Sequence, residues 1–188
     1  MAKKQVLAVL AALAISVPAF AADTGGYLVG MVGQTKVKDI DTTGLTNVSV
    51  DDKDTGFKLG GGYAFHRNFG VEATYVGLGK ASASAGGQTV EFKSSGIAVV
   101  AVGMLPVTNQ VTLLGRLGFI DATVKATAPG ASEKSTKVRT TFGIGASYSF
   151  TPQFAVRGDF DRYSKLGDDA TTGESDVDML SIGVVYKF

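Results

Sequence analysis

Six charged side chains stand out by position rather than by type. Lys58, Glu72, Arg116, Arg157, Asp159 and Asp161 each fall in a stretch where small residues alternate with large apolar ones, and each is in phase with the small set. Period two sends alternate side chains of an extended chain to opposite faces, so these three acids and three bases share the face that carries Gly, Ala, Ser and Thr. Charges enclosed in a narrow interior must be paired or solvated. The chemistry they offer is ion pairing across an enclosed space, as a structural plug or as a gated ion path.

Other candidate chemistry is thin. His66, the one histidine, falls in a short turn with no serine–acid constellation around it, and reads as a turn residue rather than a hydrolase base. Asp39, Asp41 and Gly44 begin like a calcium loop, but the twelfth position is Val50 where a bidentate acid is needed, so a solvated acidic loop is expected and no metal. Gly77-Leu78-Gly79-Lys80 lacks full phosphate-loop spacing and a following helix, and reads as a strand end. No catalytic residue and no cofactor is expected. Lys and Arg are scattered singly at a formal net charge of +1, which disfavours nucleic acid as a partner.

The elements that would position the six charges are eight segments of about ten residues, each alternating and each ended by turn chemistry. Gly26 to Lys36 sets Tyr27, Val29 and Met31 against Gly30 and Gln34; Gly56 to Phe65 sets Phe57, Leu59, Tyr63 and Phe65 against Lys58, Gly60 and Gly62. Phe69 to Leu78 opposes Phe69, Val71, Ala73 and Tyr75 to Gly70, Glu72 and Thr74. Phe92 to Leu105 is nearly all apolar from Ile97 onward, and periodicity leaves its facing open. Val111 to Thr123 opposes Leu113, Leu117 and Phe119 to Thr112, Arg116 and Gly118. Lys137 to Phe150, Phe154 to Tyr163 and Val177 to Phe188 repeat the pattern, with Arg157, Asp159 and Asp161 on the small face of the seventh.

The connections alternate in length. His66 to Asn68, Pro106 to Gln110 and Thr151 to Gln153 are tight, while Val37 to Thr55, Gly79 to Gln88, Ala126 to Thr136 and Ser164 to Asp176 are long and polar. An even strand number with strictly alternating short turns and long loops is the rhythm of an outer-membrane barrel. In such a barrel the large apolar side chains face lipid and the small and charged ones face the axis. Tyr63, Phe65, Phe69, Phe150, Phe154, Tyr186 and Phe188 gather near the short turns or the terminus, where a periplasmic aromatic girdle belongs.

The N-terminus fits export. Lys3 and Lys4, an apolar run from Val6 to Val17, then Pro18 and Ala19-Phe20-Ala21 make a three-part signal peptide. Its apolar run is roughly a dozen residues, short of the ~20 a spanning helix needs. Residues 1–21 are therefore expected to be the signal and residues 22–188 one barrel domain. Cysteine is absent, which excludes a disulfide framework and a lipidated anchor.

Gly70-Val71-Glu72-Ala73-Thr74-Tyr75-Val76-Gly77-Leu78-Gly79, Gly115-Arg116-Leu117-Gly118 and the stretch from Phe150 through Asp178-Met179-Leu180-Ser181-Ile182-Gly183-Val184-Val185-Tyr186-Lys187-Phe188 resemble the transmembrane domain of the outer membrane protein A family. The resemblance implies that Phe188 with Tyr186 is the aromatic terminus presented to the barrel-assembly machinery. It also implies a charged cluster of two acids and two bases in the lumen, of which Glu72 and Arg157 occupy matching positions and are expected to pair across the lumen. Val102 and Ser147 stand where the second base and second acid would be. Arg116, Lys58 and Asp159 are the candidates to replace those lost exchange partners. Family members often continue into a peptidoglycan-binding domain; with the chain ending at Phe188, that activity is not expected.

The expectation is an all-β, eight-stranded, antiparallel up-and-down transmembrane β-barrel, monomeric, in the bacterial outer membrane. Its partners would be outer-membrane lipid and lipopolysaccharide, the assembly machinery and periplasmic chaperones. It would be a structural membrane component with at most a narrow, low-conductance pore, not an enzyme. The rivals are a surface adhesion or host-interaction protein working through four outer loops, and a soluble ligand-binding barrel of lipocalin type.

Overall fold

A computed structural model of the chain describes residues 24–38, 49–51, 53–85, 88–128, 131–168 and 173–188. The expected signal peptide and the calcium-like stretch from Asp39 to Gly44 lie outside them. Nine strands follow in order: β1 Gly25–Val37, β2 Ser49–Asp51, β3 Lys53–His66, β4 Phe69–Ala85, β5 Gln88–Pro106, β6 Val111–Ala128, β7 Ala131–Ser149, β8 Phe154–Asp168 and β9 Gly173–Lys187. Each long strand pairs antiparallel with its chain neighbours, β1 takes β3 on one edge and β9 on the other, and the β4–β5 pairing closes the ring. The three-residue β2 pairs with the outer part of β4 on the edge where β3 pairs with the inner part, so the wall has eight staves. A closed barrel leaves no unpaired backbone facing hydrocarbon, which is what a bilayer demands.

The outside of this wall is apolar. Leu59, Phe65, Phe69, Leu117, Phe119, Ile144, Leu180 and Ile182 are each more than half exposed, a surface that makes sense against lipid and not against water. The aromatics expected at the short turns form a girdle: Phe150 stacks on Phe154 at 6.2 Å, Phe154 meets Tyr186 at 4.9 Å, and Tyr186 meets Phe188 edge-on at 5.4 Å. At the other border, Arg162 donates to both carboxylate oxygens of Asp178 at 2.6 and 2.8 Å, and Lys38 reaches the same carboxylate at 2.9 Å. This outward-facing charge cluster marks where the greasy band ends.

Two expectations about the strands need correcting. In β1 the facing is reversed: Tyr27, Val29 and Met31 are buried inside the barrel, and Leu28 and Val32 face out. Both faces of that segment are apolar, so alternation carried no sign. Three of the four long links are also mostly strand. β4 runs to Ala85 and β5 starts at Gln88, β6 and β7 are paired out to Ala128 and Ala131, and β8 and β9 are paired out to Asp168 and Gly173. Beyond the membrane both faces of a hairpin meet water, so it ladders without the apolar alternation that marks a strand in sequence. A transmembrane strand needs about 9–11 residues, and β5 and β7 have 19 each. Gly77-Leu78-Gly79-Lys80, expected at a strand end, is a bulge inside β4. Gly79 adopts φ 78° there, and Asp54 accepts the Lys80 N–H at 2.6 Å.

Closure depends on bare backbone at the β1–β9 seam. A Cβ on Gly183 would run into Gly30 O and come within 2.6 Å of Met31 Cα. Glycine is what lets the first and last strands approach while the wall coils around a narrow bore.

Candidate functional site

The lumen is layered. At the mouth on the side of the short turns is a cavity of about 410 Å³ whose wall includes Tyr27, Arg67, Met104, Leu114, Ser147 and Lys187, with Arg157 also lining it. Farther in, the six charges expected on the small face meet as one network, each no more than 6% exposed. Arg157 on β8 grips Glu72 on β4, Nη1 to Oε2 at 2.7 Å and Nη2 to Oε1 at 3.4 Å. These strands stand on opposite sides of the ring, four staves apart. The same guanidinium gives its Nε–H to Asp159 Oδ1 at 3.0 Å. Asp159 Oδ2 takes Lys58 Nζ at 2.9 Å and Arg116 Nη1 at 2.7 Å. Asp161 binds Lys58 as well, and lies 2.9 Å from Arg116 Nη2.

Three acids thus balance three bases, and β3, β4, β6 and β8 are braced across the axis. Desolvating an ion costs several kcal/mol, and only close, multiply bonded opposite charges offset that. Lys58, Arg116 and Asp159, the residues expected to stand in for the missing exchange partners, lie in this network beside the Glu72–Arg157 pair, with Asp161 next to them. Val102 packs with Val100 and Leu114 in an apolar patch, and Ser147 lines the mouth cavity, so neither joins the network. Tyr27 does, and sequence reasoning missed it: its hydroxyl donates to Glu72 Oε2 at 3.2 Å. Its phase with Gly33 and Thr35 was the available signal. The void left beside Lys58, Glu72, Arg116 and Asp161 is about 10 Å³, room for about one water.

The outer half of the bore departs from expectation. Instead of small and polar side chains it holds an apolar layer of Val76, Leu78, Ala98, Ile120, Ala122, Val124, Tyr163, Leu166, Val177 and Met179, with Val76, Ile120 and Met179 wholly buried. Eight strands enclose a space that side chains can fill, and above the charges large ones fill it. Ionic and apolar layers follow one another along the axis.

The remaining candidates are ordinary structure. His66 Nδ1 accepts the Asn68 N–H at 3.1 Å and its ring lies 6.0 Å from Phe69, which ties it to the turn. Among the described residues no group of three or more His, Cys, Asp or Glu is placed to hold a metal. Phe188 N–H donates to Gly26 O at 3.0 Å, which ties the chain's last residue to its first strand, and Tyr186 stands in the girdle.

Residues 7–188 match the family model described as outer membrane protein beta-barrel domain. Outer membrane protein A of Shigella flexneri is 31% identical over 134 residues, covering 68% of this chain and 38% of that protein. The Escherichia fergusonii protein of the same name is 29% identical over 199 residues, covering 99% of this chain and 56% of the other. The chain therefore spans about half the length, or less, of these curated relatives. Among solved structures, the attachment invasion locus protein Ail of Yersinia pestis superposes with a TM-score of 0.57 at 20% identity, covering 87% of this chain and 99% of that one. Neisserial surface protein A gives 0.63 at 16%, covering 87% and 97%. At these identities the likeness speaks to the fold alone.

Proposed function

The chain belongs to the outer membrane β-barrel family, of the outer membrane protein A type, in the bacterial outer membrane, and from that premise we propose that it is a structural membrane component whose lumen is closed at rest. The observation that carries this reading is the two-layer filling of the bore, six paired charges followed by a dry apolar layer. A path for ions needs continuous water, or polar groups that replace an ion's hydration, and a void with room for about one water supports neither. Planar-bilayer recording on the refolded protein tests it. No resolved conductance steps are expected; sustained steps from the unmodified chain overturn the reading.

The girdle and outer border support two partner assignments. Lys38, Lys93 and Lys125 are exposed and face out near or beyond the upper border, where lipopolysaccharide phosphates would meet them. Residues 1–21 direct export, and Phe188 with Tyr186 is the motif offered to the assembly machinery. Phe188→Ala is expected to slow insertion into proteoliposomes that contain that machinery by at least about tenfold, roughly 1.4 kcal/mol of barrier. Spontaneous refolding in detergent should stay as it was, because the Phe188 N–H bond to Gly26 survives the change. Equal insertion rates for parent and variant refute the assignment.

A second reading, surface attachment, is favoured by the strands that continue well past the apolar band. Ail, which shares the fold, is named for attachment and has been crystallised with the heparin analogue sucrose octasulfate. Binding of cells or matrix by the refolded barrel, lost on trimming Val37 to Thr55, would favour it over a purely structural role.

A further inference from the structure

The bulge in β4 brings three lysines into line. Before it Gly77 pairs with Ser95, and after it Lys80 pairs with Lys93, so the extra residue returns Lys80 to the outward face. β6 then sets Lys125 opposite Lys93. Residues directly opposite share a face, and Lys93 and Lys125 are both exposed, in phase with Ile97 and Phe119 on the lipid side. Lys80 has an interaction of its own, whereas among the described residues no hydrogen bond or ion pair takes the ammonium of Lys93 or Lys125. Like charges directly opposite one another destabilise a sheet, and the register holds this pair together. The acids around it leave that charge uncancelled. Asp121 faces the same way four residues inward on β6, about 13 Å along the strand, beyond the Debye length of about 8 Å at physiological salt. Asp54 accepts the backbone N–H groups of Thr55 and Lys80. Glu91 holds the position two residues outward on β5, and Glu133 stands opposite Ala126, at a register position of the other face.

The height of the pair selects what can reach it. Lys93 lies four residues outward of Ile97, the last large apolar residue on the lipid face of β5. That is about 13 Å of strand, or about 10 Å along the membrane normal at the usual barrel tilt. The headgroup layer is roughly 5–8 Å deep, and a lysine stem laid back along the wall brings its ammonium into it. Ser95 and Thr123 fill the level between, with the Thr123 and Thr136 hydroxyls 3.0 Å apart. Outward from the bilayer this face therefore runs apolar, hydroxyl, cationic, the order in which a phosphorylated glycolipid presents acyl chains, sugar and phosphate. The side chains point sideways out of the wall, toward a molecule lying beside the barrel in the leaflet. A phosphate monoester carries about −1.5 to −2 charges and three acceptor oxygens, which suits two ammoniums at hydrogen-bonding distance. Between neighbouring lipids the same role falls to Mg²⁺ or Ca²⁺, hard cations that take oxygen ligands.

Building on the reading that lipopolysaccharide meets this border, we propose that Lys93 and Lys125 clamp one lipopolysaccharide phosphate in place of a divalent cation, so that this lipid stays on the β5–β6 face when magnesium and calcium are removed. The test refolds the protein with purified lipid A bearing its two phosphates and counts retained lipid by native mass spectrometry, in magnesium and in EDTA. The parent is expected to keep one lipid A in EDTA. Lys93→Gln with Lys125→Gln should hold it at least about tenfold more weakly at unchanged folded electrophoretic mobility, since both side chains leave the wall. Lipid A stripped of its phosphates should be lost from the parent as well. Equal retention by the glutamine variant, equal retention of the stripped lipid, or displacement by equimolar inorganic phosphate would each overturn the proposal. A parent that keeps lipid A in magnesium but releases it in EDTA overturns this inference alone; a parent that takes none in either overturns the reading of the border with it.

Discussion

Replacing Arg157 with leucine is expected to destabilise the barrel by about 3–5 kcal/mol, the range found when one partner of a buried ion pair is removed. Among the described residues the guanidinium is the one group that holds both Glu72 and Asp159. Without it Asp159 keeps Lys58 and Arg116, but among the described residues Glu72 is left with the Tyr27 hydroxyl alone, and the lumen gains a net negative charge on a carboxylate that is 3% exposed. Leucine fills much of the volume, so the loss reports the charge rather than a cavity. Urea unfolding in phospholipid vesicles measures it, followed by circular dichroism because the chain has no tryptophan. Glu72→Leu should cost a similar amount, and the double variant less than the sum of the two, since an apolar pair of similar bulk replaces a buried ion pair without a stranded charge. If the two losses simply add to within about 0.5 kcal/mol, the pair across the bore is not coupled and the bracing role fails.

Which parts of this were legible beforehand follows from what each face touches. Phe142-Gly143-Ile144-Gly145-Ala146 and Phe160-Asp161 announce their facing because lipid and lumen select opposite residue types at neighbouring positions. Leu28 and Tyr27 do not, since one faces hydrocarbon and the other a buried carboxylate, and both look apolar in a one-dimensional pattern. The run from Ile97 to Leu105 was undecidable for the same reason; the pairing of Val71 with Ala101 settles it, and Ile97, Val99 and Leu105 face out while Ala98, Val100 and Val102 face in. The six charges could be placed together because a charge within the apolar band of a strand must turn inward, whereas Arg162 and Asp178 face out only at its border. Their specific partners could not be read, because which acid meets which base depends on the stagger of strands many residues apart in sequence. Ile120, Val76 and Met179 carry no mark that separates a lumen plug from a lipid contact, so the apolar layer appears only once the ring is closed.

That layer changes what should happen when the charges are disturbed. In a bore closed by ion pairs alone, Glu72→Ala would release Arg157 and let water through. Here the next layer outward is Val76, Ile120, Tyr163 and Met179, all buried, and an apolar constriction stops ions by excluding water whatever the charges below it do. Glu72→Ala alone is therefore expected to leave planar-bilayer current at the baseline, and so is Ile120→Ser with Met179→Ser, which wets the apolar layer but leaves the charges interlocked. Combining all three should produce resolved conductance steps, because each barrier multiplies the other and every 1.4 kcal/mol restores about tenfold in passage rate. Steps from Glu72→Ala by itself would mean that the ion pair is the sole gate. A silent triple variant, shown to be folded by its electrophoretic mobility, would mean that these two layers are not what closes the barrel.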